Sequence, residues 1–375
     1  VKRETEVGRR KFLKTAAAAA GAATVATIGF PMVSRAETTI IKMQGAWGAK
    51  DIFNEFAEDY VKRVNEMAGG RLKIQYLLSG AVVKSFQVQD AVHKGVLDAG
   101  HQVAAYWYGK SKVASLFGTG PVYGQNANQG LAWMYHGGGL ELYQELMENL
   151  GLNLVGFFCM PMPTQPLGWF KKPIEKSEDM VGIKWRTVGL AADVMQEMGV
   201  KVTQLPGGEI VPALERGVID AFEYNNPTSD KNFGAQDVSK VYMLGSYHQA
   251  SEYFEVIFNK TKYDALADDQ KAILRYAAEA ASSDNYWKGQ DRYSTDLQWL
   301  MNEAGVKVYR TPQAVMEDQL KAWDKVLPNL EKDPFFAKVV KSYKEFSKRV
   351  AYYELMNAAD YKLAYEHYFP GELGF

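Results

Sequence analysis

The chain has 375 residues, 47% of them hydrophobic, with 43 Lys/Arg against 44 Asp/Glu, so composition predicts globular cores and excludes a low-complexity or fibrous chain. Residues 1–36 hold seven Lys/Arg and two Asp/Glu; without them 36 basic and 42 acidic residues remain, a net charge of −6 that argues against nucleic acid or anionic lipid as partner. Cys159 is the only cysteine, which excludes an intrachain disulfide, and its apolar setting Val155–Met160 predicts a buried, inert thiol.

The N-terminus reads as a targeting segment. Gly8-Arg9-Arg10-Lys11-Phe12-Leu13-Lys14 precedes an Ala/Gly-rich apolar stretch from Thr15 to Phe30, ended by Pro31 and followed by Val33-Ser34-Arg35-Ala36. Paired arginines, a short apolar run and small residues at a cleavage position form a twin-arginine export signal over residues 1–36, with the mature chain expected from near Glu37 and working in the periplasm. The run is too short to be a convincing spanning helix.

Strand, helix and strand follow at Thr39–Gln44, Asp51–Met67 and Arg71–Leu78, the helix closed by Gly69-Gly70. An internal repeat comes next: Val92-His93-Lys94-Gly95-Val96-Leu97-Asp98-Ala99 resembles Leu214-Glu215-Arg216-Gly217-Val218-Ile219-Asp220-Ala221. Each copy predicts an amphipathic helix ended by a left-handed Gly, then a short apolar strand. One αβ unit used twice, about 120 residues apart, agrees with the length prior in predicting two related α/β lobes. Strands are expected at Trp169–Pro173, Ile183–Arg186, Val200–Leu205, Phe254–Asn259 and Val306–Tyr309, and a long helix at Asp268–Ala304. The tail from Thr311 reads as helical with breaks at Pro328 and Pro334, its last part from Ala337 to Tyr368 aromatic and charged, suited to bridging the lobes or to pairing two subunits.

Hydrolytic and dinucleotide motifs are absent: there is no Gly-x-Ser-x-Gly, no His-Glu-x-x-His and no Gly-x-Gly-x-x-Gly after a strand, and five histidines make a His-rich metal site a poor expectation. Three polar residues stand where an open α/β sheet binds ligands, near the carboxyl ends of strands: Gln165, Arg186 and Glu223. Arg suits a two-pronged grip on a carboxylate, and Gln and Glu are hard oxygen ligands suited to Ca²⁺ or Na⁺ and not to Zn²⁺. No spacing rule links the three, so a solvated Arg, a capping Gln and a surface Glu remain the alternative.

Four motifs in succession sharpen this reading: Gly168-Trp169-Phe170 with Lys172 and Ile174, Gly182-Ile183-Lys184-Trp185-Arg186, Leu205-Pro206-Gly207-Gly208-Glu209-Ile210-Val211-Pro212-Ala213-Leu214, and Gly217-Val218-Ile219-Asp220-Ala221-Phe222-Glu223-Tyr224. The series resembles the solute receptors of tripartite ATP-independent periplasmic (TRAP) transporters, of the dicarboxylate-receptor superfamily, most nearly the branch that binds α-keto and 2-hydroxy acids. The likeness runs from about Ile40 to Tyr368, and Tyr106-Trp107-Tyr108-Gly109-Lys110 resembles a stretch near that family's cleft. The resemblance implies an α/β fold of the periplasmic binding protein type, two lobes closing about a hinge, with a long C-terminal helix that pairs subunits in a homodimer. Approximate boundaries are 37–160 with 248–310 for one lobe, 161–247 for the other, and 311–375 for the C-terminal helical region. It implies a non-enzymatic receptor in which Arg186 clamps the carboxylate of a small 2-oxo or 2-hydroxy monocarboxylate, pyruvate- or lactate-like. Gln165, Glu223 and the backbone carbonyl of Tyr224 would hold a metal ion, Na⁺ or Ca²⁺, that also touches the substrate. No organic cofactor is implied, and the loaded receptor would deliver its ligand to a membrane permease. That branch commonly has Trp where Tyr224 stands, which puts pocket shape in doubt. Asn225, Trp47, Tyr106 and Trp107 complete the expected ligand contacts. A sensing subunit for a membrane kinase, or a secreted keto- or hydroxy-acid enzyme, are the alternatives; the missing catalytic base speaks against the enzyme.

Overall fold

The computed structural model describes residues 38–374; the export signal expected over residues 1–36 lies outside them. Eleven strands are described, in two sheets. The first has the order β2-β1-β3-β10-β4, from Leu72–Leu77 (β2), Thr39–Gly45 (β1), Ala99–Gln102 (β3), Glu252–Asn259 (β10) and Leu154–Met162 (β4). The second has the order β11-β9-β5-β8-β6-β7, from Lys307–Arg310 (β11), Val241–Leu244 (β9), Gly168–Phe170 (β5), Ala221–Phe222 (β8), Lys184–Thr187 (β6) and Lys201–Gln204 (β7). The α/β class expected from the sequence is the one observed.

The repeat is reproduced bond for bond. In the first copy Val96 and Leu97 N–H donate to Ala91 O at 2.9 and 3.1 Å after Gly95 at φ +73°; in the second Val218 and Ile219 donate to Ala213 O at 2.9 and 3.5 Å after Gly217 at φ +67°. The following aspartates are equivalent too: Asp98 N–H donates to Lys42 O at 3.1 Å and Asp220 N–H to Lys184 O at 2.7 Å, each joining the repeat strand to its parallel neighbour. A positive φ closes the turn at each helix end, which is why glycine stands at both positions.

Each sheet also receives one strand from the far side of the molecule. Residues 163–167 carry the chain from β4 into the second sheet, where β5 lies antiparallel to β8 and β9; residues 245–251 carry it back, where β10 lies antiparallel to β3 and β4. A third crossing follows the helix Asp268–Asn302, whose 35 residues span about 52 Å at 1.5 Å per residue. It packs on β4 and the helix Ile52–Met67 on one side and on the helix Pro227–Phe233 on the other. Lys231–Asp296 and Arg63–Asp284 ion pairs, both at 2.7 Å, fasten it to both. β11 then pairs with β9, so Lys307–Arg310 belongs to the second sheet and not, as the boundaries 248–310 had it, with the first.

Two details of the C-terminal region also differ from expectation. The helix Gln313–Leu330 runs through Pro328, which falls in its last turn and so forfeits little of the hydrogen-bond ladder. The expected single segment from Ala337 to Tyr368 is two helices, Pro334–Asn357 and Tyr361–Tyr368, the second capped by Asp360, whose Oδ1 accepts from Leu363 N–H at 2.9 Å. An N-capping aspartate outcompetes continued helix there. The first of the three C-terminal helices packs on the helix Ala191–Glu197 beside the second sheet; Pro334–Asn357 packs on Ala127–His136 and Gly139–Asn149 beside the first.

Charged side chains are not confined to the surface. Glu255 in β10 is buried between Tyr143 Oη–H and Gln102 Nε2, the latter 3.0 Å away, and burial pushes its carboxyl up from 4.5 to about 7. The folded chain therefore holds this proton between those values while the unfolded chain has released it, and stability falls as pH rises from about 4.5 to about 7. Glu255→Gln removes the titration, so urea denaturation across that window should show a flatter stability profile than wild type; an unchanged slope would exclude Glu255 as its source.

Candidate functional site

The site forms where the two strand crossings meet the second sheet. β6 lies beside β8 with Arg186 opposite Phe222, which sets Glu223 next to the arginine. Arg186 is 1% exposed and Glu223 fully buried. Arg186 Nη1 donates to Glu223 Oε1 at 3.0 Å and to Glu223 O at 2.9 Å, while Nε donates to Leu205 O at 2.7 Å. The guanidinium is thus fixed in one orientation, with its Nη2 donors engaged in none of these bonds. Burial raises the Glu223 carboxyl to about 7 even against the pull of Arg186.

Gln165 comes from the first crossing. Its N–H donates to Gln249 O in the second crossing at 3.2 Å, and its Nε2 donates to Glu252 Oε2. Glu252, at the start of β10, is buried, and its carboxyl is pushed up to about 8, first by burial and further by the neighbouring Glu223. The sequence reading missed this residue. Its trace is a pair of carboxylates, Glu252 and Glu255, in the otherwise apolar run Glu252-Tyr253-Phe254-Glu255-Val256-Ile257. Gln165 Oε1 and Asn225 Nδ2 are buried without a hydrogen-bond partner, while the Glu223 carboxylate also has the Thr187 hydroxyl beside it. Such atoms are costly unless something else satisfies them.

Tyr224 follows Glu223. Its ring lies 5.4 Å from the Arg186 guanidinium carbon and edge-on to Phe233 at 5.2 Å, and its hydroxyl donates to Asp51 Oδ2. Asp51, also missed as a site residue, caps the helix Ile52–Met67; its Oδ1 accepts from Phe53 N–H at 3.0 Å and from Ser229 Oγ at 2.8 Å. A pocket of about 250 Å³ opens beside Tyr224, walled by Gly48, Lys50, Asp51, Gly207 and Phe233. Asn225 is buried, its N–H donating to Asp230 Oδ1 at 3.4 Å.

The three aromatic candidates part ways. Tyr106 is in the electrostatic field of Arg186, Asp51, Glu252 and Glu223 and packs on Phe86 at 4.6 Å. Trp47 is buried behind it, 5.8 Å from Tyr106, with its indole N–H donating to His101 Nδ1 at 2.5 Å. Burial lowers that histidine to about 3, so it stays neutral. Trp107 turns into the core against Tyr143 at 5.9 Å.

Among the described residues no group of three or more His, Cys, Asp and Glu could hold a metal ion. The donors at the crossing are instead hard oxygens, an amide and two carboxylates, which fit Na⁺ or Ca²⁺ and not a soft-ligand metal.

A buried arginine and hard oxygen acceptors between two sheets joined by strand exchange define a receptor for a small anion. Residues 43–333 match the model of bacterial extracellular solute-binding protein, family 7 (DctP), and the chain belongs to that family. It is 33% identical over 307 residues to the monocarboxylate 2-oxoacid-binding periplasmic protein of Nostoc sp., across 82% of this chain and 83% of that one. Among solved structures it is similar to a TRAP transporter solute-binding protein from Bordetella bronchiseptica, a mixed-occupancy dimer with copurified calcium and picolinate. The TM-score is 0.82 with 28% identity, over 90% of this chain and 98% of that one. It is also similar to a TRAP periplasmic solute-binding protein from Pseudoalteromonas atlantica with bound sodium and pyruvate, TM-score 0.81 and 29% identity over 88% and 99% of the two chains.

Gly207 tests how tightly Tyr224 is placed. A Cβ there would lie 2.3 Å from the Tyr224 ring. Gly207→Ala should displace the ring and cost about 1–3 kcal/mol in urea unfolding, the usual toll of overpacking; wild-type stability would mean that the ring is free to move.

Proposed function

We propose that this chain captures a small 2-oxo or 2-hydroxy monocarboxylate of the pyruvate or lactate type, with a metal ion, in the periplasm and hands it to a TRAP membrane permease. The observation that carries the reading is the cluster of buried hard oxygens, Gln165 Oε1 without a hydrogen-bond partner and the Glu223 and Glu252 carboxylates, beside a buried arginine. Calcium or sodium in the Bordetella and Pseudoalteromonas structures, the pyruvate of the latter and the 2-oxoacid-binding Nostoc relative support it.

In this reading Gln165, Glu223 and the Tyr224 carbonyl hold the ion, with Glu252 as a further carboxylate at the same place. The ion would supply a fixed positive charge facing the ligand's oxygens. Arg186 keeps Nε and Nη1 committed to the protein and offers Nη2 to the ligand carboxylate. Tyr106 and the Tyr224 ring bound the apolar end, and Asn225 Nδ2 supplies a further donor. Trp47 supports Tyr106 from behind. Capture needs no bond to be made or broken.

Titration calorimetry with pyruvate tests this. Wild type should bind one pyruvate per chain, with binding lost after chelation and dialysis and restored by Ca²⁺ or Na⁺. Gln165→Ala and Glu223→Gln should each weaken binding by at least the roughly 10–100-fold that loss of even an outer partner costs a metal site. Arg186→Lys should also weaken it, since an ammonium cannot reproduce the fork. Full-affinity binding by chelated protein would refute the metal's role.

The same reading takes the C-terminal helices as a dimer surface. Tyr352, Leu355, Met356, Tyr361, Leu363 and Tyr368 are between 67% and 76% exposed, more apolar surface than one chain buries. A second copy is the occupant we assign, supported by the dimer of the Bordetella relative. Sedimentation should show a dimer that Leu355→Glu with Leu363→Glu converts to monomer; a monomeric wild type would contradict the assignment.

A further inference from the structure

Two aspartates tie the halves together, and they do so reciprocally. Asp51, which follows β1 of the first sheet, accepts from Tyr224 Oη and from Ser229 Oγ at 2.8 Å, both from the second-sheet half. Asp193, in the helix between β6 and β7 of the second sheet, accepts from Tyr108 Oη at 2.9 Å and Lys112 Nζ at 2.5 Å, both from the first-sheet half. Each carboxylate is thus gripped from across the cleft by one tyrosine hydroxyl and a second donor. Asn232 Nδ2 donating to Lys50 O at 3.1 Å adds to the Asp51 side.

We propose that Asp51 and Asp193 form a two-point lock that holds the halves closed over the ligand and sets how long it stays bound. This rests on the receptor reading above. Three features favour a lock over incidental contact. Asp51 is held in place before it meets its partners, because Oδ1 is already committed to the cap of its own helix. The Asp193 side chain is only 15% exposed although it sits on a helix next to solvent. Gly189, four residues before Asp193 and at φ +66°, sits close against the other half: a Cβ would lie 3.0 Å from Ala105 Cβ and 3.2 Å from Ser115 Oγ, both of the first-sheet half. The halves therefore meet closely beside the Asp193 tie.

Polar ties suit a receptor that must open again. An apolar seam of similar extent would gain on every square ångström buried and stay shut. Hydrogen bonds are exchanged for bonds to water on opening, so each holds the closed form by only a modest net amount. They are also directional, so the halves close in one register and place Tyr224 over Arg186.

The test uses the Asp193 tie, which touches none of the groups assigned to the ligand or ion. Pyruvate dissociation is followed by stopped flow in wild type, Tyr108→Phe and Asp193→Asn. The halves are tracked by spin-label distances between cysteines placed at Val96 and Val218, exposed positions in the first- and second-sheet halves. Loss of one hydrogen bond should speed dissociation roughly 3- to 10-fold in Tyr108→Phe, and more in Asp193→Asn, with a longer label distance. Lys260→Ala, which breaks an ion pair at 2.5 Å within one half, should change neither. Lys112→Ala gives the same readouts should Asp193→Asn unfold. Wild-type dissociation and distances in folded Tyr108→Phe and Lys112→Ala would overturn the lock. A wild type that does not bind pyruvate would overturn the ligand reading alone, since the label distances still decide the lock.

Discussion

The buried pair Arg186–Glu223 is the constraint on which the rest of the site depends. Both side chains are withdrawn from water, at 1% and 0% exposure, and two ions taken out of water cost more than their attraction alone returns. The balance is helped by carbonyl oxygens, those of Leu205 and Glu223 itself, which accept from Nε and Nη1 and leave Nη2 outside these bonds. Those carbonyls are available because β6 lies between β8 and β7, and Glu223 and Leu205 directly follow those two strands. The site is still not fully satisfied: Gln165 across the crossing keeps Oε1 without a hydrogen-bond partner. In the reading proposed above, the ligand and its ion would meet that cost.

Strand exchange between the sheets explains why the cost falls where it does. Because β5 and β10 each belong to the sheet on the far side, both crossings pass through one place, and both bring polar residues there. Gln165 lies on the first; Gln249 and Glu252 lie on the second and at its end. The same topology joins the halves by the strand crossings, the long helix Asp268–Asn302 and the passage from Leu330 to Pro334, and in the proposed reading the contacts around Asp51 and Asp193 decide how firmly they stay together.

Much of this arrangement is legible in the residues. Arg186 lies at the end of a short strand, and Glu223 follows the repeat strand whose two copies are visible as Lys-Gly-Val-Leu-Asp-Ala and Arg-Gly-Val-Ile-Asp-Ala; strand ends in an open sheet face the cleft. Glu252 is not legible in that way. It opens a strand that inserts antiparallel from the other half, and nothing local reveals which sheet such a strand joins; β11, parallel to β9 after the long helix, is equally silent about its sheet. Asp51 is hidden by a second role. As an N-cap it is fully explained by its own helix, and only the distant Tyr224 and Ser229 reveal the other side of its carboxylate. The break at Ala358–Asp360 was missed because aromatic helical periodicity continues on both sides of it, and a cap signal of one residue is weaker than the pattern it interrupts.

The measurement that bears most directly on the central claim is native mass spectrometry of the purified protein without chelator, with denaturation to identify the released small molecule and metal analysis on the same sample. The account predicts one 2-oxo or 2-hydroxy monocarboxylate and one sodium or calcium ion per chain. A dicarboxylate or sugar acid held without any metal would contradict the roles given to Gln165 and Glu223, while leaving the chain in its family of solute receptors.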